Sequence, residues 1–136
     1  MIYVFCGEKG SGKTKDLIRL ANEKAVNNKG NLVYIDDDSR VCLQLRNKIR
    51  FISTCEFEIQ NYNSFYGFLC GVLSEDYDID TVFIDGLVNI AKESLQNAAH
   101  LFYNLEKLSK KYDVDFYVNV STNKRNVPEF VKKYIA

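Results

Sequence analysis

The chain has 136 residues, 46% hydrophobic and 26% charged, with one Pro and seven Gly, a composition that excludes disordered and collagen-like chains and fits one globular domain over 1–136. Eighteen Lys and Arg balance eighteen Asp and Glu, so no overall basic field supports binding to nucleic acid or an anionic membrane. Cys6, Cys42, Cys55, Cys70 and the single His100 have no finger or ribbon spacing and read as reduced, mostly buried thiols and an ordinary helix residue of a cytoplasmic protein. No stretch reaches the ~18 apolar residues of a membrane span, and no secretory leader is expected.

Ile2 to Cys6 is a continuous apolar run ending at Gly7, the pattern of a strand buried on both faces, as in the centre of a parallel sheet. After a glycine-rich stretch, Leu17, Leu20, Ala21 and Ala25 keep helical spacing from Lys13 to Asn27, where Asn28 and Gly30 supply a stop. Leu32 to Ile35 reads as a second strand, Val41 to Asn47 as a short helix, and Arg50 to Thr54 as a third strand. Tyr62, Phe65, Tyr66, Leu69, Val72 and Leu73 predict an amphipathic helix over 62–75 beginning near Asn61 or Asn63. Phe57, Tyr62, Phe65, Tyr66 and Phe68 read as core, with a base-stacking ring among them as the alternative, and Gly67 and Gly71 as points of close helix packing. Thr81 to Ile84 is the fourth strand. Leu95 to Lys111 reads as a long helix, Phe116 to Val120 as the fifth strand, and a short helix follows Pro128. Strands that alternate with helices need crossover connections, which predicts a three-layer α/β/α fold around a mainly parallel five-stranded sheet.

Between the first strand and the first helix lies Gly7-Glu8-Lys9-Gly10-Ser11-Gly12-Lys13-Thr14, a full match to GxxxxGK[ST] in the strand-to-helix context that the motif requires. Glycines let the backbone curl so that successive N–H groups face an anion, and the helix N-terminus adds positive potential. Such a loop predicts a nucleoside triphosphate as ligand, with Lys13 reaching its β- and γ-phosphates and the Thr14 hydroxyl holding Mg²⁺. Val82-Phe83-Ile84-Asp85 delivers a carboxylate at the end of an apolar strand, the place of a second Mg²⁺ ligand. Lys13 and Asp85 are therefore the candidate catalytic residues, Gly7 to Thr14 the binding loop, and Thr14 with Asp85 the metal pair.

These motifs resemble those of P-loop NTPases, and the order of elements is similar to the type II thymidine kinases within the RecA-like group. The resemblance covers the loop, Ile35 to Arg40, Asp85 and the last strand, and it implies a P-loop NTPase fold with ATP or another triphosphate and Mg²⁺ as cofactors. It also implies a catalytic Glu after the Asp, where this chain has Gly86, and the kinase's zinc ribbon and thymidine-holding lasso have no counterpart. Small bacterial P-loop proteins of this kind are sometimes labelled twitching-motility ATPases of the PilT type, whose His and acidic boxes are missing here. Asn123-Lys124-Arg125-Asn126 resembles the GTPase NKxD motif with Asn126 in place of the Asp that would accept from guanine, which leaves adenine as the default base.

The expected activity is Mg²⁺-dependent ATP binding with slow hydrolysis. The alternatives are a nucleotide or small-molecule kinase and a non-hydrolysing, ATP-switched binding module. Glu8, Asp36, Asp37 and Asp38 are candidates for orienting water or a hydroxyl, with an Asp cap on the following helix as the plainer reading of the triplet. Ser121, Thr122 and Asn123 follow the fifth strand, where a polar side chain could meet a γ-phosphate. Lys124, Arg125, Lys132 and Lys133 form a basic cluster, read as a solvated face or as a cation offered to a neighbour's phosphate in a homo-oligomer or to a protein partner.

Overall fold

A computed structural model describes the whole chain, Met1–Ala136. Five parallel strands, β1 (Ile2–Gly7), β2 (Asn31–Asp36), β3 (Ile49–Ser53), β4 (Ile79–Asp85) and β5 (Asp115–Ser121), form one sheet in the order β1-β5-β4-β2-β3. Helices α1 (Lys13–Asn27), α2 (Tyr62–Glu75), α3 (Leu87–Ala91), α4 (Ala99–Tyr112) and α5 (Glu129–Lys132) connect or follow them. No helix is long and apolar enough to cross a membrane.

The strand order dictates the layers. The step from β1 to β2 runs outward across the sheet, and the steps β3 to β4 and β4 to β5 return; right-handed crossovers moving in opposite directions lie on opposite faces. Accordingly α1 packs with Leu32, Tyr34, Ile49, Phe83 and Tyr117 on one face, and α2, α3 and α4 cover Val33, Ile35, Val82, Ile84 and Val118 on the other. The latter cluster holds 26 buried residues and the α1 cluster 10.

One row of side chains crosses all five strands on the α1 face. Tyr3, Tyr117, Phe83, Tyr34 and Phe51 are paired in register and stack successively at centroid distances of 4.8, 5.2, 5.9 and 6.4 Å. A parallel sheet stacks identical positions, and offset aromatic pairs add attraction beyond their buried area. A one-residue slip would turn a rung to the opposite face, so the row fixes the register.

Several local expectations are revised. β1 lies at the sheet edge rather than its centre, with Tyr3, Phe5 and Cys6 half-buried; an apolar run reports coverage of both faces but not lateral position, and the outer edge is met by Ile135 pairing with Val4. The helix expected over 41–47 is a 3₁₀ segment, Ser39–Gln44, capped by Asp38 accepting from the Arg40 N–H. The helix expected from Leu95 begins at Ala99, because Ser94 caps a separate turn over Leu95–Asn97. Helix α3 was not foreseen. Cβ atoms built at Gly67 and Gly71 meet nothing within 4 Å, so these glycines mediate no close helix approach. Helix α2 starts as expected, with Asn61 and Ser64 capping each other's backbone. Cys42 and Cys55 are exposed, whereas Cys6 and Cys70 are partly buried, and all four are free.

Candidate functional site

The loop from Gly7 to Thr14 turns on glycines whose positions disfavour other residues. Gly10 and Gly12 both have φ of 86°, a left-handed backbone that costs other residues roughly 1–2 kcal/mol. A Cβ on Gly7 would lie 2.8 Å from Ser11 Oγ. The Ser11 N–H donates to the Glu8 carbonyl at 3.1 Å, and Lys13 Nζ folds back to the same carbonyl at 2.9 Å and to Ser11 Oγ at 3.4 Å. No side chain caps α1 at Gly12, so the amides of its first turn have no side-chain acceptor.

Facing the loop, the sheet ends in a polar layer. Asp85 and Asp36 end β4 and β2 on the α1 face, and Asn119 stands level with Asp85 two residues before the end of β5; each lies two residues beyond its rung, Phe83, Tyr34 or Tyr117, and all three are buried. Asp85 is the hub. Its Oδ1 accepts from Thr14 Oγ1 and from Asn119 Nδ2, each at 3.2 Å, and its Oδ2 accepts from the Tyr34 hydroxyl at 2.7 Å. Burial, followed by the Asp85 charge and its hydrogen bond, holds the Tyr34 hydroxyl far above the usual phenol range. Burial and the Asp85 charge likewise push the Asp36 carboxyl up to about 8, against a lowering hydrogen bond from the Asp38 N–H.

Two cavities open here. A polar one of about 470 Å³ is lined by Lys9, Gly10, Lys13, Thr14, Asp36 and Asp85 among others, with Val41 its single apolar residue. The second, about 800 Å³, lies between α1 and the segment 124–136, and half of its lining residues are apolar. Lys13 and Asn119 border both.

The structure thus brings Lys9, Gly10, Gly12, Lys13, Thr14 and Asp85 to one cavity, while Ser11 faces the larger one. Glu8 contributes its carbonyl, and its exposed carboxylate borders neither cavity. The three aspartates divide the roles proposed for them: Asp36 is buried at the site, Asp38 caps the 3₁₀ segment and is drawn down to about 2 by Arg40, and Asp37 lines the polar cavity. Of the residues after β5, Ser121 lines the polar cavity. Asn123 caps the turn Lys124–Asn126. Lys124 and Lys132 border the larger cavity, whereas Lys133 pairs with Glu106 at 3.4 Å. His100 is exposed.

Sequence reasoning missed Tyr34 and Asn119. Their signal is a repeated tripeptide pattern, Tyr34-Ile-Asp36, Phe83-Ile-Asp85 and Tyr117-Val-Asn119, in which an aromatic and a polar residue share a face at a strand's end. Gly86 has φ of 77°, so the position after Asp85 is left-handed and disfavours the Glu that the kinase resemblance implies.

The fit to a hard divalent cation can be judged from the donors. Thr14 Oγ1 and Asp85 Oδ1 are neighbouring oxygens, and no group of three or more His, Cys, Asp or Glu converges anywhere in the chain. One carboxylate and one hydroxyl suit Mg²⁺ that takes its other ligands from water and substrate phosphates. The chain matches no family model and no curated protein sequence.

Proposed function

We propose that the protein binds a nucleoside triphosphate, with ATP as the default, together with Mg²⁺, and hydrolyses it slowly. The observation that carries this reading is the meeting of Thr14 and Asp85 at 3.2 Å, across one cavity from the left-handed glycines and Lys13. The loop amides and the N-terminus of α1 receive the phosphates, and Lys13 exchanges the Glu8 carbonyl for phosphate oxygens. Thr14 and Asp85 would hold Mg²⁺, which would supply positive charge to offset that of the phosphates. Asn119 and Tyr34 hold the Asp85 carboxylate on two sides, so that its free lone pairs keep a fixed direction.

Asp36 is the residue suited to orient the attacking water, since it lines the polar cavity and is the only other buried carboxyl there. Gly86, left-handed in its backbone, supplies no carboxylate at the position after Asp85, and turnover is expected below the 1–100 s⁻¹ typical of kinases.

The test is a Mg²⁺ titration of ATP binding and phosphate release in wild type and Asp85→Asn. The variant should raise the Mg²⁺ concentration needed for half-saturation several-fold while leaving metal-free ATP binding in place. An unchanged titration would remove Asp85 from metal binding. Adding a panel of nucleosides to the same assay distinguishes hydrolysis from phosphoryl transfer, and tight binding without turnover would favour a nucleotide-switched module.

A further inference from the structure

Resting on the proposal that the 7–14 loop takes a triphosphate, we infer that the 800 Å³ cavity beside it is the nucleoside site, and that a base lies between α1 and the segment 124–136. Triphosphate and nucleoside are one molecule, so the two sites must adjoin. The larger cavity meets this condition, sharing Lys13 and Asn119 with the polar one and reaching Ser11 of the loop.

The chemistry of the walls decides which cavity takes which end. A nucleobase presents two apolar faces and needs apolar surface to leave water, whereas phosphates and a cation need donors and oxygens. The polar cavity offers only Val41 to a base. The larger one presents Phe5 from β1, Leu17 and Leu20 from α1, and Val127 and Ile135 from the opposing segment. Its volume falls within the 300–1,000 Å³ range, roughly, of small-molecule sites. Phe5 already stacks on Tyr117 at 6.4 Å and 10°, so a base against Phe5 extends a stack that exists.

Charge points the same way. Lys124, Lys132 and Arg19 border this cavity, against Asp16, which is engaged by Arg19 at 3.1 Å. Lys132 is held by Glu129 at 2.7 Å, which leaves Lys124, with Lys13 at the loop end, as the bordering cations without an ion pair. A cation beside an apolar floor matches a nucleotide whose base enters first and whose phosphates trail toward the loop. The polar cavity, by contrast, has Asp36, Asp37, Asp38 and Asp85 along its walls, a negative surface unsuited to an electron-rich ring.

The inference is tested with two probes, ATP and inorganic tripolyphosphate, each with Mg²⁺, on wild type, Phe5→Ala and Val127→Asn, together with photolabelling of the wild type by an ATP analogue bearing an azide on the base. The expected result is that both variants lose about tenfold or more in ATP affinity, as for removal of a stacking surface, while tripolyphosphate binds as before. The label should fall on peptides carrying Leu17 to Leu20 or residues 124–136. Labelling of residues 36–41 or 86–89, or equal affinity of wild type for ATP and tripolyphosphate, would overturn the nucleoside assignment and leave the loop reading intact. Failure of both probes to bind wild type would overturn the loop reading and this one with it. The photolabel does not depend on the variants folding, and melting curves of the variants separate loss of binding from loss of structure.

Discussion

The two faces of the sheet carry different workloads. Under α2 and α4 the strands present Val33 and Ile35, Val82 and Ile84, and Phe116, Val118 and Val120, apolar to their ends. On the α1 face each central strand changes character within two residues, from Tyr34 to Asp36, Phe83 to Asp85 and Tyr117 to Asn119. Burial of two carboxyls so close together opposes folding, and the larger apolar face opposite is where that cost is offset. The larger apolar core and the buried polar layer thus lie on opposite sides of the same backbone.

Substitutions can break this division or sharpen it. The largest effect is expected at Phe65, fully buried in α2 against the apolar face. Phe65→Ala should lower unfolding free energy by about 3–5 kcal/mol through lost burial and a cavity, with triphosphate affinity of the folded fraction unchanged. Denaturant melts and calorimetric titration check both halves, and a matching loss of affinity would show that the faces are coupled.

Lys13→Ala is the converse. Lys13 touches only the loop's own oxygens, so melting should be unaltered while triphosphate affinity falls by about 1.5–3 kcal/mol, roughly 10- to 150-fold, as for a lost hydrogen bond to a charged group. Equal affinity in variant and wild type would remove the phosphate role of the loop.

Tyr34→Phe tests the boundary, since its ring is a rung and its hydroxyl serves Asp85. The stack survives this change, but Asp85 Oδ2 loses its donor, a cost of about 1–2 kcal/mol. Both Tm and the Mg²⁺ dependence of binding should move, which a purely structural hydroxyl would not produce. If Tm alone falls, Tyr34 belongs with the core rather than with the site.

The effect expected at Asp36 has the opposite sign and depends on pH. The folded-state pKa of Asp36 is raised to about 8, whereas an unfolded chain ionises near ~3.9, so the folded protein holds the proton more tightly. Its contribution is greatest at low pH and is lost as pH rises through the folded value. Asp36→Asn should therefore raise the Tm of the ligand-free protein more at pH 8.5 than at pH 5, while lowering turnover. Equal shifts at the two pH values would mean that Asp36 titrates normally.

Much of the architecture is legible in the sequence because its signals are local. The limits of α1 and α2, the alternation of elements and the glycine loop follow from spacing, caps and turn residues over a few positions. The edge position of β1 is not local: it depends on β5 inserting between β1 and β4, a pairing that apolar runs leave undetermined. The same holds for the site. Lys13, Thr14 and Asp85 stand in motifs, but Asn119 and Tyr34 matter because strands 34 and 51 residues away in sequence bring them to one carboxylate. Asp36 was among the candidates, yet separating it from Asp37 and Asp38 required knowing which of three consecutive carboxyls faces α1.

The aromatic row has an optical consequence. The chain contains no tryptophan, so tyrosine governs its near-ultraviolet spectrum, and Tyr3, Tyr117 and Tyr34 are rungs of one stack with interplanar angles of 19 to 25°. Chromophores held this close and this nearly parallel couple their transitions, and the chiral twist of the sheet gives that coupling a sign in circular dichroism. Tyr34 also touches the carboxylate at the centre of the site. A ligand that displaced the Tyr34 hydroxyl from Asp85 would therefore be read, without a label, as a change in tyrosine circular dichroism along the row.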